Sequence, residues 1–282
     1  MKYLQGRVNF PTGGKVREPK GMIRCNSGTD SIVWMEEDVR LYFAAPERYF
    51  LSGDFFISEV KTMSKQKMSV RYIAMVAMFC AISYIAMLLG DFVPKIAGFL
   101  SYDPKDAIVV IAGFILGPMA SFFISLIVSF IEMITVSTTG PYGFLMNVIS
   151  TCAFAIPTAV VYRKRHTHNG AVLGLAIGTV VMVICMVIWN YIVTPFYMGV
   201  PREQVAAMLV PVFLPFNLVK GGINAGLTLL IYAPIVSALR KAKLVEPSQS
   251  GGKKKFNAGY TLFALMVLVT FVLLFLVIAG VL

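Results

Sequence analysis

Charge is scarce in this chain. Only 14% of its 282 residues are Asp, Glu, Lys or Arg, against about a quarter in a soluble domain. With 57% apolar residues and a mean hydropathy of +0.76, that shortage excludes an ordinary soluble fold and places the chain in the membrane class. Histidine is scarcer still: His166 and His168 are the only two, both in a basic interhelical segment. The four cysteines, Cys25, Cys80, Cys152 and Cys185, form no close pair. Three lie inside apolar runs, where cysteine acts as a small hydrophobe. No disulfide and no metal site is expected. "PTGGKV" and "SGGKKK" both miss the P-loop pattern, so the chain carries no P-loop ATP hydrolysis of its own. Neither H-E-x-x-H nor G-x-S-x-G occurs, and no catalytic residue is expected.

What the sequence holds in quantity is long apolar runs. A membrane span needs about 20 apolar residues, and candidates fall at 69–90, 105–116, 119–138, 143–162, 171–195, 213–238 and 259–282. The second is short, bounded by Pro104 and Gly117-Pro118, and predicts a tilted or partial span. The expected fold is an all-α integral membrane protein. Residues 63–243 form a six-helix membrane domain, 244–258 a basic flexible linker, and 259–282 an additional transmembrane helix.

Basic residues set orientation. Lys65, Lys67 and Arg71 precede the first span, Arg163-Lys164-Arg165 follow the fourth, and Arg240, Lys241, Lys243 and Lys253-Lys254-Lys255 lie between the sixth and seventh. A cytoplasmic start to the first span puts all three clusters inside, and the C-terminus outside. The opposite loops carry Lys95, Lys105 and Arg202, offset by Asp91, Asp103, Asp106 and Glu203.

Ionisable and amide side chains at membrane depth are costly and point to function. Asn190, Asn217 and Lys220 fall at similar depth on successive helices, toward the outer half. Asn147, Glu132, Asp103 and Asp106 lie at the same level, with Trp189, Tyr191 and Tyr102 nearby. Amides and an ammonium suit a neutral ligand rich in hydroxyls and carbonyls, held in an outward-opening pocket. Each residue also has a plainer role open to it: an interhelical hydrogen bond for Asn147, snorkelling for Lys220, a boundary cap for Glu132, an interfacial belt for Trp189 and Tyr191. In the first span Ala74, Ala77 and Ala81 make a small-residue stripe that lets another helix approach closely.

Three segments then carry a resemblance: "FLSYDPKDAIVVIAGFILGPMA", "WNYIVTPFYMGVP" and "LPFNLVKGGINA". Together, and in this order over about 68–243, they resemble the riboflavin-specific substrate-binding (S) component of energy-coupling factor (ECF) transporters. The resemblance implies a six-helix S-component core that holds one riboflavin near the outer face, as transported ligand rather than cofactor. It implies a separate energising module of one membrane coupling subunit and two ATPases. It assigns flavin contacts to Asn190, Asn217 and Lys220, docking on the coupling subunit to Ala77 and Ala81, and a lid role to loop 91–104. The third span departs from the pattern, with no charge before Glu132, and the seventh helix is extra to it. Two other readings stay open here: an S component for another vitamin, and a membrane enzyme or assembly factor acting on lipids. The second would need titratable groups clustered at the cytoplasmic face, where the sequence offers Arg and Lys.

Residues 1–62 differ in kind, with 9 Lys+Arg against 8 Asp+Glu and no apolar core typical of a signal peptide. "SGTDSIVWMEEDVR" (Ser27–Arg40) shows neither helical nor strand periodicity. "FPTGGK" and "SGTDSIVWMEE" back-translate to strings that resemble conserved segments of the flavin mononucleotide riboswitch, in its order. Glu59-Val60 permits a ribosome-binding core upstream of Met63. The expectation is that 1–62 is a translated, disordered RNA leader without regular structure, with the native start at Met63 or Met68; the alternative is a genuine cytoplasmic domain.

Overall fold

The computed structural model describes residues 22–26, 32–36, 70–90, 92–96, 100–165, 167–242, 244 and 258–281. The chain divides into two units, Met1–Gln66 and Lys67–Leu282. In the first, β1 (Met22–Asn26) pairs antiparallel with β2 (Ile32–Glu36), Arg24 opposite Trp34. This corrects the expectation of no regular structure for those ten residues. Ile, Val and Trp favour an extended pleat. Met63 and Met68, the two expected starts, lie outside the described residues.

The second unit is helical. Its elements are α1 (Val70–Gly90), α2 (Lys105–Leu116), α3 (Pro118–Thr135), α4 (Gly140–Lys164) and α5 (His168–Ile192). Then follow two short helices, α6 (Thr194–Met198) and α7 (Arg202–Met208), a π turn over Leu209–Phe213, α8 (Leu214–Lys241) and α9 (Ala258–Ile278). Apart from α2, the long helices are apolar enough to cross a membrane, so the chain is a multi-pass membrane protein. Apolar side chains cover their outer faces, as lipid requires: Ile85, Ile134, Ile184 and Leu265 are all exposed.

The short second run is a helix of 12 residues, about 18 Å long. Every residue from Lys105 to Gly113 is buried, so α2 is the central post of the bundle. Gly117, at φ 100°, turns the chain directly into α3, a backbone conformation that side-chain-bearing residues rarely adopt. Pro118 then opens α3 at its first turn, where a missing N–H costs nothing.

Two ends of the bundle can be told apart by contacts. At one, Arg71 Nε donates to the Leu244 carbonyl (3.0 Å), the hydroxyls of Tyr162 and Tyr232 pair at 2.9 Å, and His168 lies against Tyr260. Arg71 of the first basic cluster thus reaches Leu244, just past the Arg240–Lys241 part of the third. The other end gathers Tyr102, Glu132, Asn147, Asn190, Asn217 and Phe275. Lys65, Lys67, His166 and Lys253 to Lys255 lie outside the described residues, as does most of the expected linker.

Candidate functional site

The second end encloses a cavity walled by the segment before α2, the ends of α3 and α5, the first half of α4, α6, and the start of α8. Its depth follows from the shortness of α2. The polar N-terminus of α2 meets α4 at Thr151, whose hydroxyl donates to Asp106 Oδ1 (2.6 Å). Thr151 is eleven residues into α4, or about 16 Å along its axis. The post therefore stops well short of this end of the bundle, and the cavity stands on it.

Two linked ionic clusters hold that floor. Lys220 Nζ lies 3.1 Å from Asp106 Oδ2 and 3.4 Å from Ser150 Oγ. Lys105, fully buried, pairs with Asp103 and places Nζ 3.1 Å from Glu132 Oε2. Asn147 Nδ2 donates to the other oxygen, Glu132 Oε1, at 2.7 Å. Three carboxylates thus face two ammonium groups in a buried site, and both ammonium groups are taken. Unpaired charge at such depth would be prohibitive.

The amides are placed by local backbone bonds. Asn217 Nδ2 donates to the Phe213 carbonyl (2.8 Å), the last residue of the π turn. That turn arises where Pro211 and Pro215 interrupt regular helical bonding. Asn190 Nδ2 donates to the Met186 carbonyl (2.7 Å), and its Oδ1 accepts from Thr194 Oγ1 (2.8 Å). A primary amide has two N–H donors, so each asparagine has a second N–H beyond these bonds.

The cavity brings together Asp103, Asn147, Trp189, Asn190, Asn217 and Lys220, with Glu132 and Tyr102. Tyr191 lies outside the cavity wall: it is 42% exposed, with the Arg202 guanidinium 5.4 Å from its ring centre. Lys105, taken in the sequence as a loop charge, is corrected to a buried group at the start of α2. Its signal was present, a lysine between Asp103 and Asp106 that opens an unbroken apolar run. Sequence reasoning missed Asn224 entirely. It accepts from the Tyr102 hydroxyl (2.8 Å) and donates to the Asp103 carbonyl (3.1 Å), pinning the segment before α2 to α8. Burial, and then the nearby Asp106 carboxylate, push the Tyr102 phenol above its ordinary value, so it donates as a neutral hydroxyl.

Away from the cavity, Ala74, Ala77 and Ala81 are all exposed along one side of α1. Residues 91 and 97–99 of the expected lid lie outside the described residues. Among the rest, Ile96 and Leu100 exchange backbone bonds of 3.0 Å and are buried.

Three relatives are similar over most of their length. A riboflavin transporter FmnP of Bacillus subtilis (strain 168) is 29% identical over 163 residues, 55% of this chain and 86% of its own. Proteins named riboflavin transporter RibU are 24% identical in Staphylococcus aureus (strain TCH60) and 27% identical in Streptococcus thermophilus (strain ATCC BAA-250 / LMG 18311). The matches cover 59% and 61% of this chain, and 90% and 86% of theirs. All three relatives are named as transporters and none as an enzyme. A solved S component of a bacterial ECF transporter superposes with a TM-score of 0.52 at 24% identity, over 60% of this chain and 96% of that one, which establishes the shared fold. The family model for the substrate-specific component of ECF transporters matches residues 71–232, more than half of the chain, and the chain belongs to that family.

Proposed function

We propose that this S component captures riboflavin from outside in the cavity above α2 and releases it inward when coupled to a separate energising module. The observation that carries the ligand class is the state of the cations. Lys105 and Lys220 both face carboxylates, so the floor has no spare positive charge to attract an anion. What remains is the exposed Lys95 on the wall, the second N–H of Asn190 and of Asn217, hydroxyls, and the rings of Trp189, Phe216, Tyr142 and Tyr197. That inventory suits a neutral molecule with a flat ring, imide carbonyls and a polyol chain. Riboflavin is such a molecule, and the similarity to riboflavin transporters supports it.

The direction of transport follows from the charge pattern. Basic clusters at the Arg71 end mark the cytoplasm, so the cavity opens outward, and α9, an odd final span, ends outside. The exposed Ala74, Ala77 and Ala81 side of α1 is the face on which a membrane coupling subunit docks, because small residues allow close helix approach. Two ATPase subunits bound to that partner supply the energy.

Colour tests the ligand. Protein purified from flavin-containing cells should be yellow, with quenched flavin fluorescence. Colourless protein whose melting temperature does not respond to added riboflavin would sink this reading.

A further inference from the structure

The last helix, α9, is extra to the six-helix pattern, and its composition alone suggests a passive anchor. Its packing says otherwise. Most of its surface faces outward, with Phe263, Met266, Leu273 and Val277 exposed. One stripe, Ala264, Leu268, Phe271 and Phe275, is turned inward at spacings of four, three and four. Ala264 and Phe275 are 0% and 3% exposed. The stripe meets Gly222 and Gly226 of α8, a small-x-x-x-small pair that lets helix backbones approach. A Cβ on Gly226 would sit 2.9 Å from the Leu268 Cα, and one on Gly222 would run into the Phe271 ring.

That seat fixes where Phe275 lands. Its ring lies 6.1 Å from the Tyr102 ring, edge to face, within the range of a favourable aromatic pair. Tyr102 lines the cavity, and its hydroxyl reaches Asn224 on α8. Ile96, Leu100 and Phe216 belong to the same apolar cluster. The helix that reaches furthest from the site in sequence thus backs the wall through which a ligand would enter or leave.

We propose that Phe275 is a positioning residue for ligand retention: carried by α9, it holds Tyr102 against Asn224 and so keeps the outer wall of the cavity in place. The ligand's identity rests on the riboflavin reading; the mechanical role does not.

The test uses the full chain. Riboflavin release is followed by recovery of flavin fluorescence in wild type, Phe275→Ala, Phe275→Leu, Tyr102→Ala and the double variant Phe275→Ala with Tyr102→Ala. Leu274→Ala, on the outward side of α9, is the control. Phe275→Ala should speed release about three- to tenfold, the span an aromatic pair supports, while Leu274→Ala leaves it unchanged. In the Tyr102→Ala background the effect of Phe275→Ala should vanish, because coupled residues are not additive. Release unchanged by Phe275→Ala, an undiminished effect without Tyr102, or an equal effect from Leu274→Ala each overturns the proposal. Should Phe275→Ala fail to fold, Phe275→Leu is read by the same criteria. Hydrogen exchange of ligand-free protein gives a second readout. Amides at 100–103 should exchange faster in Phe275→Ala than in wild type, and unchanged exchange overturns the role. If wild type binds no riboflavin, the ligand reading fails, while the exchange result still decides the role of Phe275.

Discussion

Lys220 of α8 holds its ammonium 3.1 Å from Asp106 Oδ2 at the head of α2, with both groups buried. This pair ties the last helix of the six-helix core to its central post and forms the cavity floor. Breaking a buried pair strands the surviving charge, at about 3–5 kcal/mol. Asp106→Asn should therefore lower the melting temperature of the ligand-free protein sharply. Asp106→Leu combined with Lys220→Met replaces both charges by apolar side chains, and should restore most of that stability without restoring riboflavin binding. Wild-type melting of Asp106→Asn would show that the pair contributes nothing to the fold.

Glu132 serves two partners, Asn147 through one oxygen and Lys105 through the other. Glu132→Gln keeps an acceptor for Asn147 but removes one counterion of Lys105. Glu132→Ala removes both. Hydrogen bonds to charged groups contribute about 1.5–3 kcal/mol, so Glu132→Ala should weaken riboflavin binding by about tenfold to a hundredfold, and Glu132→Gln by less. Calorimetric titration separates the two. Equal affinity in both variants and wild type would remove Glu132 from the support of the site.

The alanine side of α1 separates binding from transport. Ala77 and Ala81 are exposed and not part of the cavity wall, so Ala77→Trp should leave riboflavin affinity of the isolated protein within about twofold, as exposed substitutions generally do. Uptake into cells should fall by about tenfold or more, because a bulky side chain blocks close helix approach. Loss of binding, or full uptake, would show that this side of α1 is not the docking face.

Much of this was legible in the sequence, for identifiable reasons. Span positions follow from apolar run length: the run expected at 105–116 is α2, residue for residue. Depth along a helix is also one-dimensional information, so Asn147, Asn190, Asn217 and Lys220 could be placed at one level before any contact was known. Pairing is not one-dimensional. Lys220 could snorkel or pair, and only the position of Asp106 on another helix decides. Lys105 looked like loop charge because nothing local reveals that α2 begins well inside the bundle. Asn224 was overlooked because its partners lie more than 120 residues away in sequence. Tyr191 adjoins Asn190 in sequence, yet neighbouring residues of a helix point about 100° apart, and it faces away from the cavity.

Gly226 makes the role of α9 a matter of stability as well as ligand release. A leucine there meets the Leu268 backbone, since even a Cβ would approach the Leu268 Cα to 2.9 Å. A backbone cannot swing aside as a side-chain tip can, so the whole helix must move. Overpacking of this kind costs about 1–3 kcal/mol. Gly226→Leu should lower the melting temperature, whereas Val277→Leu, on the outward side of α9, should not. Because Phe275 travels with the helix, Gly226→Leu should also speed riboflavin release in the same direction as Phe275→Ala, although it touches neither the ligand nor the cavity wall. A Gly226→Leu protein that melts and releases riboflavin like wild type would show that α9 does not pack on this face of α8.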